Sequence, residues 1–242
     1  IDICKGEILS LLGENGSGKT TLMNMLSGIY YPDAGQIFVN GQEVSIRSPK
    51  DALDLGIGMI HQHFKLVDVM TATENIILGL KEEKYDLKAA ANRVSEICAR
   101  YGFDLDPNQK IYNMSVSQKQ TVEIVKVLYR KADILILDEP TAVLTPQETE
   151  KLFDVLRKMR EDNKAVVIIT HKLNEVLELS DWVDVLRAGE FVGRLKTSET
   201  NVQEMTDMMV GRSVSLNIAR PEPKNVHPKM MISNLTVRSE EG

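Results

Sequence analysis

ILSLLGENGSGKT, residues Ile8–Thr20, joins an apolar run to the spacing G-x-x-x-x-G-K-[S/T] that starts at Gly13, and a helical pattern opens at Thr21. The apolar run reads as a buried strand, and Leu22, Met25, Leu26 and Ile29 read as one apolar helix face beyond the loop. A polyphosphate is a dense anion, so a loop that binds it turns many backbone N–H groups inward. Gly13, Gly16 and Gly18 permit those turns without a clashing Cβ. Lys19 supplies a mobile positive charge, the Thr20 hydroxyl is a ligand for Mg²⁺ bridging two phosphates, and the following helix adds the positive end of its dipole. An accidental glycine-rich turn would lack the strand before and the helix after. The candidate phosphate-binding set is Gly13, Glu14, Asn15, Gly16, Ser17, Gly18, Lys19, Thr20 and Thr21.

The 242 residues are 43% hydrophobic, enough to bury the core of one large domain or two small ones. A formal net charge of −6 offers no excess of cations to a phosphate backbone, which weighs against nucleic acid as a partner. Cys4 and Cys98 lie far apart without metal-ligand spacing and read as incidental thiols of a reducing compartment. The longest apolar runs, such as Ala165–Ile169, fall far short of the roughly 20 residues that cross a bilayer. IDICKG at Ile1–Gly6 has no initiator Met and no signal pattern, so the start reads as cut.

Outward from the loop, helix and strand patterns alternate. Gln36–Val44 reads as a hairpin turning at Asn40-Gly41, Ser48-Pro49 opens a short helix ending near Gly56, and Ile57–Ile60 reads as a buried strand before His61-Gln62. The character then changes. Thr71–Glu74 reads as a capping box, Leu87, Ala91, Val94, Cys98 and Tyr101 form a helical stripe ended by Gly102, and this region reads as a helical insertion. Ser115–Gln118 caps a helix with Val122, Val125 and Leu128 inward, and Ile134–Leu137 is a continuous apolar run of the central parallel type, followed by Asp138-Glu139-Pro140. Thr145–Glu148 caps a helix with Leu152, Val155, Leu156 and Met159 inward, and Val166–Ile169 is the next strand, with Thr170-His171 at its end. Asp184–Arg187 and Glu190–Gly193 form a closing hairpin, and a last helix from Asn201 stops at Gly211, its Met205, Met208 and Met209 serving packing. Beyond it, 220–228 reads as a proline-containing linker and Met230–Val237 as a fresh strand, or as a final edge strand of the same domain.

Polar side chains thus recur at strand ends: Lys19 and Thr20, Gln62, Asp138 with Glu139, and His171. In parallel α/β sheets ligands lie outside the carboxyl ends of the strands, so these groups can converge on one nucleotide. Asp138 is the expected Mg²⁺ partner, and Glu139 is placed to orient or deprotonate a water. Taken singly, the acidic pair also reads as a turn or cap and the histidine as a hydrogen-bonded structural residue.

In this order the motifs resemble those of the ATP-binding cassette (ABC) proteins: GENGSGKT as phosphate loop, Gln62 as Q-loop, MSVSQ at Met114–Gln118 as signature, ILILDEP at Ile134–Pro140, and His171 as switch histidine. The resemblance covers nearly the whole chain. It implies an α/β, P-loop NTPase fold with an ABC-type core, antiparallel hairpins and an inserted helical subdomain over about 64–130, all within a nucleotide-binding domain at 1–218. It implies ATP and Mg²⁺ as ligands, with Lys19 and Thr20 on phosphate and metal, Gln62 on metal and attacking water, Asp138 supporting Mg²⁺, Glu139 as general base and His171 at the γ-phosphate. Ser115, Ser117 and Gln118 would act on the nucleotide of another cassette, in the same polypeptide or a homodimer. Gly56–Val67 and Val122–Glu148 are similar to the ATPase subunits of bacterial simple-sugar and nucleoside importers. That similarity implies separate membrane permease subunits, indirectly a solute-binding protein, and a place at the cytoplasmic face of the membrane. Such subunits carry two cassettes in one polypeptide, which makes 219–242 a linker and the first strand of a second cassette. Val116 and Ser117 stand where the family signature has glycines, Thr145 where its D-loop ends in Asp, and the adenine-stacking aromatic would precede Ile1.

Two other classes compete with an import ATPase. A cassette acting on nucleic acid or ribosomes calls for a basic face, and the charge argues against it. A regulatory cassette that hydrolyses little is opposed by Glu139 and His171 and left open by Ser117 and Thr145. The transported solute is not written in a cassette that need never touch it.

Overall fold

Strand β1 (Ile8–Leu12) is buried along its whole length, as its unbroken apolar run requires, because both faces of the sheet are covered. The computed structural model describes residues 1–62, 64–80, 86–213 and 230–236. After β1 these residues form α1 (Lys19–Leu26), β2 (Ile37–Val39), β3 (Gln42–Val44), α2 (Pro49–Asp54), β4 (Ile57–Ile60), α3 (Ala72–Ile77), α4 (Leu87–Tyr101) and α5 (Val116–Tyr129). Then follow β5 (Ile134–Asp138), α6 (Pro146–Glu161), β6 (Ala165–Ile169), α7 (Leu173–Leu179), β7 (Trp182–Arg187), β8 (Glu190–Lys196) and α8 (Val202–Val210). The main sheet runs β4-β5-β6-β1-β7-β8, with β2 and β3 paired separately. β4, β5, β6, β1 and β7 are mutually parallel, so their carboxyl ends share one edge, and β8 closes that sheet antiparallel to β7.

Local chemistry sets the helix ends. Thr71, Ser115 and Thr145 each accept a hydrogen bond from the backbone three residues on while Glu74, Gln118 and Glu148 reach back, so α3, α5 and α6 all open on capping boxes. Gly102 and Gly211 end α4 and α8 in the left-handed conformation. Helix α5 is buried on two sides. Its Val122 and Val125 join Ala72, Ile76, Val94 and Cys98 in a cluster of the helical region, whereas Ile124, Val127 and Leu128 pack with Leu135, Leu137, Leu156 and Ile168 beneath the sheet. A fold of this kind, a parallel α/β sheet with antiparallel hairpins, agrees with the sequence expectation.

Three sequence expectations shift. α1 starts at Lys19 rather than Thr21, and its fully buried residue is Met23, one turn after the buried Lys19; Ile29 lies past the helix end and is exposed. On α4 the buried stripe begins at Ala90, while Leu87, in the first turn, is exposed. Met230–Thr236, the described part of the expected last strand, pairs with no described strand, and Met230, Met231, Ile232 and Leu235 are exposed. A strand exists only where another edge answers its N–H and C=O groups. The linker expected over 220–228 lies outside the described residues.

Candidate functional site

The loop between β1 and α1 wraps around the Lys19 side chain. Its ammonium is buried and donates to the carbonyl oxygens of Gly13 (2.8 Å) and Glu14 (2.9 Å), while Ser17 N–H donates to Glu14 O at 3.1 Å. Gly13 is required by close approach: a Cβ there would lie 2.3 Å from Leu186 O and 2.4 Å from Ser17 Oγ. Gly18, at φ 95°, meets the conformational demand instead and caps α1. The Ala188-Gly189 turn of the β7–β8 hairpin braces the loop, with Gly189 N–H donating to Ser17 O at 3.1 Å. Burial lowers the Lys19 pKa, opposed by the Glu139 and Asp138 carboxylates.

The parallel sheet brings β5 beside this loop. Thr20 Oγ1 donates to Asp138 Oδ2 at 3.2 Å. Burial raises the Asp138 pKa; the Thr20 hydrogen bond opposes that rise, the Glu139 charge adds to it, and Lys19 counters. Glu139 sits at φ 49°, a left-handed conformation that a side chain tolerates only when its surroundings hold it. Its N–H donates to Ile169 O at 2.9 Å, its Oε1 lies 2.8 Å from His171 Nδ1, and its Oε2 is buried with no hydrogen-bond partner.

Asn15, Gly16, Ser17, Gly18, Lys19, Thr20, Thr21, Gln62, Asp138, Glu139 and His171 all line one cavity of about 420 Å³ at the carboxyl edge of the sheet. Gly13 and Glu14 stand behind it, holding Lys19 through their carbonyls. Ser115, Ser117 and Gln118 are elsewhere, at the N-terminus of α5, and do not line this cavity. Among the described residues no group of three or more His, Cys, Asp or Glu side chains could hold a metal by itself. The donor set fits Mg²⁺ shared with phosphates all the same, since that ion takes one or two protein oxygens and completes its shell with phosphate and water. Thr20 Oγ1 and the Asp138 carboxylate, 3.2 Å apart, would supply those oxygens.

Sequence reasoning missed the polar groups beside this cavity. Thr141 Oγ1 donates to Glu175 Oε2, Lys172 Nζ donates to Thr141, and the buried Gln120 amide donates to Pro140 O at 2.9 Å. The only signal for them was Lys172 and Glu175 at i,i+3 directly after His171.

A glycine loop with a buried lysine, set between strand and helix at the carboxyl edge of a parallel sheet, defines the P-loop class of fold. The family model described as ABC transporter matches residues 1–142, and the chain belongs to that family. It is 45% identical to the nucleoside import ATP-binding protein NupA of Lactococcus lactis, over 100% of this chain and 48% of that protein. It is 40% identical to the glucose import ATP-binding protein TsgD13 of Haloferax volcanii, over 98% of this chain and 49% of that protein. The chain spans about half the length of the curated relatives it matches. The ADP conformation of MJ1267, an ATP-binding cassette of an ABC transporter, superposes with a TM-score of 0.74 at 21% identity, covering 88% of this chain and 91% of that one, a likeness of fold.

Proposed function

We propose that this chain binds ATP with Mg²⁺ and hydrolyses it, driving import of a simple sugar or nucleoside through separate membrane permease subunits. One observation carries the reading: the Lys19 ammonium, the Thr20–Asp138 pair and the Glu139–His171 pair face a single cavity. Bound Mg²⁺ supplies charge neutralisation on the phosphates. Lys19 exchanges its loop carbonyls for phosphate oxygens, Thr20 and Asp138 hold the metal, and Gln62 orients the attacking water. Glu139, which lines the cavity, accepts that water's proton through its carboxylate. The water oxygen bonds to the γ-phosphorus as the bond to the β–γ bridging oxygen breaks, and His171 leaves Glu139 to hold the γ-phosphate.

Ser115, Ser117 and Gln118, which do not line this cavity, serve the nucleotide of a second cassette, in the same polypeptide or a homodimer. The half-length match to NupA and TsgD13 supports the former, with 1–218 as one cassette and 219–242 leading to the next. The names of those relatives, one a nucleoside and one a glucose importer, support the two solute classes. No helix among the described residues is long and apolar enough to cross a membrane. By its similarity to import ATP-binding proteins, the chain acts in this reading at the cytoplasmic face of a bacterial membrane, with a solute-binding protein engaged only through the permease.

Phosphate release and ATP binding test the reading in the cassette joined to its partner. Glu139→Gln keeps ATP affinity within about twofold and lowers turnover by on the order of 10²–10⁴, because the amide is nearly isosteric yet accepts no proton. Wild-type turnover in that variant removes Glu139 as the base.

A further inference from the structure

We propose that Thr141, Lys172 and Glu175 are positioning residues that clasp the loop carrying Glu139 to the loop carrying His171. The inference rests on the reading of Glu139 and His171 as site residues.

Two residues beyond Glu139, the Thr141 hydroxyl is buried and donates to Glu175 Oε2 at 2.6 Å. One residue beyond His171, Lys172 Nζ donates to both Thr141 O and Thr141 Oγ1 at 3.0 Å and pairs with Glu175 Oε1 at 2.9 Å. The Lys172 N–H donates to Thr170 Oγ1 at 3.1 Å, fixing its own backbone beside His171. The result is a closed triangle with one corner after β5 and two after β6. An exposed i,i+3 ion pair on a helix contributes little. Here both charges spend their remaining hydrogen bonds on a buried threonine of the other loop, so the pair ties the two strand ends together.

Glu139 is where such a tie matters. Its φ of 49° costs free energy and persists only under external constraint. Besides the triangle, the bonds joining the two loops there are Glu139 N–H to Ile169 O and the Glu139–His171 contact itself. Loosening the triangle lets Glu139 and His171 separate without removing any group that touches phosphate.

The test combines Lys172→Met, Glu175→Gln and the conservative Thr141→Ser with three readouts: melting temperature, steady-state kcat and KM for ATP in the cassette joined to its partner, and the long-range ¹H–¹⁵N imidazole spectrum of His171. Lys172→Met and Glu175→Gln are expected to lower kcat by on the order of tenfold with KM within about twofold, the cost of a small misplacement of reacting groups. They also move the His171 Nδ1 resonance off its hydrogen-bonded position, whereas Thr141→Ser, which keeps the hydroxyl, holds both at wild type. An unchanged His171 resonance and unchanged kcat in Lys172→Met, with Glu139→Gln inactive, overturns the clasp and spares the proposed chemistry. If Glu139→Gln turns over normally the general base is lost instead, and the imidazole spectrum still decides whether the triangle holds the two loops together.

Discussion

Lys19 is held by its own loop before any phosphate reaches it. A buried ammonium must satisfy its donors, and the Gly13 and Glu14 carbonyls do so at 2.8 and 2.9 Å. Lys19→Ala is expected to weaken ATP binding by on the order of tenfold to a hundredfold, the worth of a hydrogen bond to a charged partner, as read by equilibrium titration. Unchanged affinity would remove the lysine from the phosphate site. The cysteines differ by environment alone. Desolvation and the Glu7 carboxylate raise the Cys4 thiol as well, but Cys4 is exposed, whereas burial pushes the Cys98 thiol up to about 11. A thiol reagent at about pH 8 is therefore expected to modify Cys4 first in the native chain and Cys98 only after denaturation, because access and the thiolate fraction both favour Cys4. Rapid native labelling of both would mean that α4 does not seal its cluster.

At the scale of elements, the capping boxes of α3, α5 and α6 were legible because each is a four-residue pattern whose bonds close locally. Asn75 was not legible, since its role depends on how the chain folds back over it. Fully buried, it accepts from Val67 N–H at 2.7 Å and donates to Val67 O at 3.1 Å and Thr71 O at 3.0 Å, pinning the segment that leaves Gln62. Thr71→Ala removes a cap and should cost about 1 kcal/mol. Asn75→Ala strands buried backbone groups, each worth roughly 1–3 kcal/mol, and should cost about 3 kcal/mol in urea unfolding. Equal costs for the two would show that water replaces the Asn75 bonds. The buried face of α1 was not legible for a related reason: it runs through Lys19 and Met23, four positions apart, and a charged residue does not register in an apolar pattern, so that pattern puts the face on Leu22, Met25 and Leu26, which are only partly buried.

The whole molecule leaves the signature end of α5 away from its own phosphate cavity while Gln120 ties that helix to Pro140, next to Glu139. If the site is completed by a second cassette, as proposed, this chain taken alone must borrow it from another copy and therefore respond to concentration. ATP turnover per chain is expected to rise with protein concentration and to fall towards zero on dilution below the association range, measured by phosphate release. Constant turnover per chain in a dilute, monomeric sample would show that Ser115 of a partner is not needed.

By itself the sequence determined what short-range geometry enforces: the glycine loop and its lysine, the capped helices, the fully apolar strands, and the placing of Gln62, Asp138, Glu139 and His171 at strand ends. Those features follow from backbone sterics, hydrogen bonding within a few residues and the period of apolar side chains. Only the tertiary structure decided the order β4-β5-β6-β1-β7-β8, and with it the meeting of Thr20 with Asp138 across 118 positions and of Glu139 with His171 across 32. The same holds for the Thr141–Lys172–Glu175 triangle and for Met230–Thr236, an apolar run that forms no described strand. The physical reason is common to all of them: a residue pattern states what a segment needs buried or bonded, while the partner that meets the need is chosen by packing the entire sheet.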